Sequence, residues 1–213
     1  MSNLIIRNWA SVSNKEAVCN GAIKYRFRSE DMVEQKLEQL YRSLDVTYPK
    51  FFKMDTQSKL GWLCAEYVCE GGKVFEGASL KEVALVLSNK KSSLDTDEQY
   101  FKSLISEGEF LPSPAVFVYT LANIVAGEIC IRHGIKGENN FLISERFDAE
   151  ALFNYVTILF SEELCKQCLV GWVESYQGEM KAMLAFVEAT TDVPEERLFT
   201  IRNLNQLYQT TAS

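Results

Sequence analysis

One run of residues limits the fold more than any other. Val83-Ala84-Leu85-Val86-Leu87-Ser88 is apolar up to its last residue and is bounded by polar residues on both sides. A strand with one wet face alternates apolar and polar at every second residue. A central parallel strand, covered on both faces, does not alternate. The run therefore predicts a strand in the middle of a sheet with helices above and below it. Four more apolar segments read as strands: Leu4 to Ala10, Asn139 to Ser144, Cys168 to Glu174 and Ala182 to Glu188. Between them lie segments with apolar residues at steps of three and four, the period of an amphipathic helix. Asp55 caps the first, running to about Cys69, with Leu60, Leu63, Cys64, Tyr67 and Val68 on one face. Others run from about Thr96 to Ser106, from Leu121 to His133 and from Ala149 to Cys165. The order predicts an α/β protein with a five-stranded mixed, mainly parallel sheet flanked by helices.

Outside this core, Ser29-Glu30-Asp31 offers caps for a helix through about Leu44, inside a helical insertion of about 29–48 that Tyr48-Pro49 stops. The stretch from Ser11 to Arg28 reads as irregular. A terminal helix is expected over about 193–208, with Pro194 in its first turn. Within the Leu121 helix, Glu128 and Arg132 are spaced to pair, and Gly127 suggests a close helix contact. Gly134 stands where a helix end wants a left-handed residue.

Composition narrows the function. Across 213 residues the formal charge is -7, so the chain lacks the general basic character that phosphate binding requires, and a nucleic-acid partner is excluded. No apolar run reaches the ~18 residues of a membrane span. The start, Met1 to Arg7, has no secretory pattern. A cytoplasmic protein with reduced thiols is expected, and the six cysteines fall mostly in apolar, periodic segments. Cys165-x-x-Cys168 has neither a second cysteine pair nor histidines beside it, so it reads as packing; no metal site and no cofactor site is expected. The only histidine, His133, reads as a helix-end residue.

The stretch from Ser113 to Glu150 resembles the approach to the catalytic cysteine of β-ketoacyl synthases. The matching features are Ser113-Pro114, Thr120 to Asn123, Ala126-Gly127, the Gly134 to Gly137 turn and the strand Asn139 to Ser144. Lys53-Met54-Asp55 and Ser58 resemble the start of that family's first core helix, and Gly178-Glu179 its late Gly-Glu step. The match at Ser92 to Thr96 is partial, because Lys90, Lys91 and serines replace glycines. The resemblance covers about 55–188 and implies one half of a thiolase fold, with extra N- and C-terminal helices. Counting on from Gly137, the nucleophile position falls on Arg146, and no cysteine lies between Cys130 and Cys165. A guanidinium stays protonated and cannot be acylated. The family's second half, with its two histidines, is not in the chain. The resemblance thus implies a stand-alone N-terminal-half type without 3-oxoacyl-[acyl-carrier-protein] synthase activity of its own.

Three functions follow from that resemblance. The first is a non-catalytic, chain-length-factor-like partner in bacterial fatty-acid-like, aryl-polyene or polyketide synthesis, working as a homodimer or with a full-length ketosynthase. Asn139 to Ser144 would then pair across a two-fold axis, and the helices from Leu121 and Ala149 would present a face for the missing half. The extra helices covering that gap and leaving a monomer is the alternative. The second is an acyl or acyl-carrier-protein binding module. Phe117, Tyr119, Phe147, Phe153 and Tyr155 are its candidate cavity residues, against ordinary core. Lys50, Lys53, Lys90, Lys91, Arg132 and Lys136 are its candidate docking patch, against scattered solvated lysines. The third is a transferase or hydrolase of altered chemistry using Glu145, Arg146 and Asp148, against a helix cap with Asp148 as its N-cap.

Overall fold

The computed structural model describes residues 3–105, 113–191 and 195–210. The strand read from Val83 to Ser88 is present as β4 (Val83–Asn89), and every one of its residues is buried. It pairs in parallel with β5 (Asn139–Ile143) on one side and with β6 (Gln167–Tyr176) on the other. From β6 the sheet continues antiparallel through β7 (Glu179–Thr190) and β1 (Asn3–Ser13) to β2 (Glu16–Cys19) and β3 (Ala22–Arg26).

The sheet therefore has seven strands, where the sequence predicts five. Its mainly parallel character is also corrected, since only the β4–β5 and β4–β6 pairings are parallel. Two tight turns are the cause. Asn20 and Gly21 both take positive φ (50° and 80°), and so do Gln177 and Gly178 (49° and 82°). Two-residue turns of that hand match strand twist and force antiparallel hairpins. The first turns the supposedly irregular Ser11 to Arg28 into the β2–β3 hairpin and the end of β1. The second folds β7 back on β6.

Helices cover both faces. On one lie α1 (Val33–Arg42), α2 (Thr56–Cys69) and α5 (Ile124–His133), which share a core with Leu85, Leu87, Leu184 and Phe186 of the sheet. The opposite face carries α6 (Ala149–Ser161) and α7 (Ile201–Thr210), with Val86, Val170, Trp172 and Val187 beneath them. Near the carboxyl end of β4 sit α3 (Leu94–Ile105) and the short α4 (Pro114–Val118).

Several boundaries shift. α1 begins at Val33 rather than near Ser29, because Gln35 reaches back to the Met32 N–H and Asp31 accepts from Gln39 instead of capping. α5 begins at Ile124, leaving Leu121 exposed before it, and α6 ends at Ser161 rather than at Cys165. A short helical turn, Glu195–Arg197, precedes α7, so the terminal segment is not one helix. Ser106, Pro112, Val193 and Pro194 lie outside the described residues.

α2 is the central helix. Only Thr56 and Tyr67 escape full burial, so the apolar stripe expected from its spacing is an all-round burial. Asp55 caps it as expected, accepting from the Ser58 N–H at 2.9 Å. The expected Glu128–Arg132 pair is absent. Glu128 takes Lys50 (2.7 Å) and the Tyr119 hydroxyl (3.0 Å), while Arg132 forms a two-pronged pair with Glu66 (2.7 and 3.0 Å). Both acids are buried, and each cation comes from another element. The close helix contact also falls elsewhere. A Cβ on Gly127 would meet nothing within 4 Å, whereas one on Gly61 would lie 2.4 Å from Val125 Cγ2.

Gly61→Ala is expected to destabilise by roughly 1–3 kcal/mol through overpacking at the α2–α5 crossing. Gly127→Ala is expected to stabilise by roughly 1 kcal/mol through helix propensity alone. Urea unfolding of the two variants reads both, and shifts of the same sign would refute the assignment of the crossing.

Candidate functional site

The three parallel neighbours β5, β4 and β6 end on one side of the sheet. Open α/β sheets place their crevices outside such carboxyl ends. A cleft of about 940 Å³ lies there. Lys90 and Lys91 enter it from the end of β4, Glu145, Arg146 and Phe147 from the loop after β5, and Trp172, Glu174 and Tyr176 from β6. Glu179, Met180 and Lys181 of β7, Ser13, Asn14 and Lys15 at the end of β1, Gln177 of the β6–β7 turn, and Asn205, Tyr208 and Gln209 of α7 line it as well.

Each loop is held by named contacts. Fully buried Asn89 accepts from the Ser92 N–H (2.9 Å) and donates to the Ser92 carbonyl (2.8 Å), while Ser92 takes a positive φ of 55°. Glu174 then accepts the Lys90 and Lys91 N–H groups (2.6 and 3.3 Å) through Oε2. Its other oxygen, Oε1, is buried and has no hydrogen-bond partner. Asn14 ties the β6–β7 hairpin to the end of β1 by donating to the Gly178 carbonyl (2.8 Å) and accepting from the Met180 N–H (2.6 Å).

The apolar wall is aromatic. Phe147 and Tyr208 stack with centroids 4.2 Å apart at 9°, and Trp172 meets both edge-on at 6.1 and 5.9 Å. The Lys181 ammonium sits 3.5 Å from the Tyr208 ring centre, and that of Lys91 lies 5.0 Å from the Tyr176 ring centre. Burial lowers the pKa of Lys181. Burial, and then the charge of Glu174, raises that of Tyr208.

The junction read from the sequence thus opens on a real cleft. Arg146 and Glu145 are exposed at its edge, and the Ser144 hydroxyl donates to the Arg146 carbonyl (2.9 Å). Asp148 is outside the lining. Its carboxylate accepts from the Ala151 N–H at 2.9 Å and caps α6. The five aromatic cavity candidates do not gather: Phe117 packs on Tyr100, Tyr119 hydrogen-bonds Glu128, and Phe153 stacks on Phe199. Tyr155 packs in the core beneath α6, and only Phe147 reaches the cleft. The basic candidates are likewise dispersed, with Lys50 and Arg132 spent on buried acids and only Lys90 and Lys91 at the cleft. Trp172, Glu174, Lys181 and Tyr208 were not readable as site residues, because separate strands and a terminal helix bring them together.

Cys165 and Cys168 are buried with raised pKa values, which burial causes. Among the described residues no cluster of His, Cys, Asp or Glu could hold a metal ion, and no helix is long and apolar enough to cross a membrane. His133 ends α5 away from the cleft, with Nε2 3.3 Å from Glu66 Oε1.

No family model matches the chain, and no curated protein matches it. Solved structures do match. One described as the ishigamide ketosynthase/chain length factor matches with TM-score 0.64 and 14% identity over 91% of this chain and 63% of that one. Another, a type II PKS acyl-carrier protein in complex with its ketosynthase bound to the hexaketide, gives TM-score 0.66 and 13% identity over 89% and 63%. A ketosynthase in complex with its chain length factor from Xenorhabdus doucetiae gives TM-score 0.60 and 11% identity over 98% and 91%. The chain has the thiolase-like fold of ketosynthase and chain length factor structures. It spans about 63% of the length of the first two matched chains and 91% of the third.

Burial holds the His133 pKa down at about 4, from an ordinary 6.5. The unfolded chain takes up a proton that the folded chain refuses, so stability falls as pH drops from 6.5 toward 4, by up to ~3 kcal/mol for this group. Denaturant titrations of wild type and His133→Asn across that range should differ in slope, wild type losing more. Parallel slopes would remove His133 from the acid limb.

Proposed function

We propose that the chain is a non-condensing ketosynthase-like subunit that assembles with a ketosynthase, in the manner of a chain length factor. The observation that carries this reading is the junction between β5 and α6. A strand delivers the loop to a helix start at the mouth of a cleft, and the position that the resemblance gives to the nucleophile holds Arg146. A cysteine there would gain acidity from the helix start, but a guanidinium carries out no acyl transfer.

The surface supports a partner. β5 is an edge strand. Leu85 N–H donates to the Glu138 carbonyl and Ser144 N–H to the Asn89 carbonyl, so by the parallel ladder the Phe141 and Ile143 N–H groups point outward. Unpaired edges of this kind invite another strand. Beyond the carboxyl end of β4, where α3 packs against β6, Phe101 and Ile105 of α3 and Phe117 of α4 are 60%, 65% and 52% exposed, followed by exposed Val118 and Leu121. Contiguous exposed apolar groups mark interfaces. On the other face α7 packs on α6, and the Phe153–Phe199 stack closes part of the surface that a second half would use. Ketosynthases are the favoured partner because two of the matched structures pair a ketosynthase with a chain length factor. Bacterial polyketide or aryl-polyene synthesis is the corresponding setting.

Light-scattering mass of the chain mixed with a panel of ketosynthases is expected to show a heteromer with at least one. Ile143→Pro removes an outward N–H without touching the β4–β5 ladder, so it should abolish that heteromer while leaving the melting temperature nearly unchanged. A monomer in every mixture, or an acyl adduct formed on this chain by an acyl-carrier thioester, would overturn the reading.

A further inference from the structure

A second cavity, of about 520 Å³, lies along the free side of β1 and shares no residue with the first. β2 pairs with β1 only at Ala10, Ser11 and Val12. Before that point, among the described residues, the outer edge of β1 is met only by Leu198 and Phe199, at Ile5 and Leu4, and by Asn20, at Trp9. The cavity is the notch between them. A β-bulge shapes it. The ladder to β7 skips Arg7, and one extra residue exchanges the faces of those that follow. Asn8 therefore reaches under the end of α2, while Trp9 joins Ile6 on the face that α7 covers. Bulges that re-aim side chains in this way are over-represented beside functional sites.

Hydrogen bonds fix both walls. Asn8 is only 9% exposed. It donates to the Val68 carbonyl (3.3 Å) and to Glu70 Oε1 (3.1 Å), and it accepts from the Asn20 amide (3.4 Å). Asn20 in turn accepts from the Trp9 N–H (2.8 Å). Across the notch, Asn203 Nδ2 donates to the Leu198 carbonyl (2.8 Å) and so holds the turn that carries Glu196 and Arg197. The groups left over are of mixed kind. Arg7 pairs with Glu188 (3.3 Å), whereas Arg197, Glu196 and the Gln206 side-chain amide have no partner among the described residues. Half-buried Trp9 and Leu207 supply the apolar part. The walls are thus set before any ligand arrives, which lowers the ordering cost of binding.

We propose that this notch binds a neutral polyhydroxylated ligand of mono- to disaccharide size. A hydroxyl both donates and accepts, so one sugar serves a guanidinium, a carboxylate and an amide together. A net anion would meet Glu70 and Glu196, and a net cation would meet Arg7 and Arg197. A neutral polyol meets neither repulsion. The carbon face of the ring lies against Trp9 and Leu207, and the polar groups around it fix its orientation. The volume is within the range of small-molecule sites. The proposal rests on β1, α2 and the segment of α7, and it is independent of which protein the chain assembles with.

Isothermal titration of the full chain with glucose, maltose, cellobiose and trehalose tests it, with glucosamine and glucose 6-phosphate as charged controls. At least one neutral sugar is expected to bind at millimolar concentration, and more tightly than either charged one. Arg197 and Glu196 are exposed, so Arg197→Gln and Glu196→Gln should leave the fold intact, which circular dichroism checks. Each should weaken the sugar about tenfold through a lost charge-assisted hydrogen bond. Lys181→Met, in the other cleft, should leave the affinity unchanged. No binding of any neutral sugar, preference for a charged one, or affinity indifferent to either notch variant would overturn the proposal. Loss of binding in Lys181→Met would place the sugar in the other cleft and overturn it as well.

Discussion

β4 has no wet face. All seven of its residues are buried, and its two sides face different cores. A strand in that state can exist only if a layer of helices closes each side, and the rest of the chain is arranged to supply them. α2 closes one side so completely that it is itself covered by α1 and α5. α6 and α7 close the other. Because β4 pairs in parallel with both neighbours, the loops after β4 and β5 and the end of β6 come to one side of the sheet. The cleft is therefore a consequence of the same burial that organises the core.

The inner helical layer shows how the chain handles polar groups it cannot avoid. Glu66 and Glu128 are buried, and each is matched by a cation from another element. Arg132 adds face contacts to Trp62 and Tyr48 (5.5 and 5.4 Å). Such pairs contribute little net stability, but removing one partner is expensive, so Arg132–Glu66 fixes how α5 sits on α2 and Lys50–Glu128 ties α5 to the turn before α2. The Gly61–Val125 approach sets the same crossing sterically. Burial lowers the His133 pKa beside this group, outweighing the pull of Glu66, and Arg132 repels a second cation there.

What was legible in the sequence follows the range of each signal. β4, α2 and the strand-to-helix junction at Arg146 rest on local pattern, and all three are present. The β2–β3 hairpin was missed although Asn20-Gly21 is a short-range hairpin signal; its strands are only four and five residues long. The helix starts erred where a side chain found a better partner than the backbone, as Asp31 did with Gln39. Of the cleft's lining, the motif order reaches Glu145 and Arg146, but Lys181 and Tyr208 meet only through the β6–β7 turn and the docking of α7. No local pattern encodes that contact.

Arg146 has meaning only in this setting. In isolation a guanidinium after an edge strand is an ordinary solvated charge, and Asp148 beside it is an ordinary cap. Here the residue between them, Phe147, stacks on Tyr208 of the terminal helix, and the two rings form one wall of a cleft. Lys181 over the Tyr208 ring and Phe147 stacked on that same ring tie β7, α7 and the loop after β5 together, so the position of the Arg146 loop depends on how the terminal helix docks.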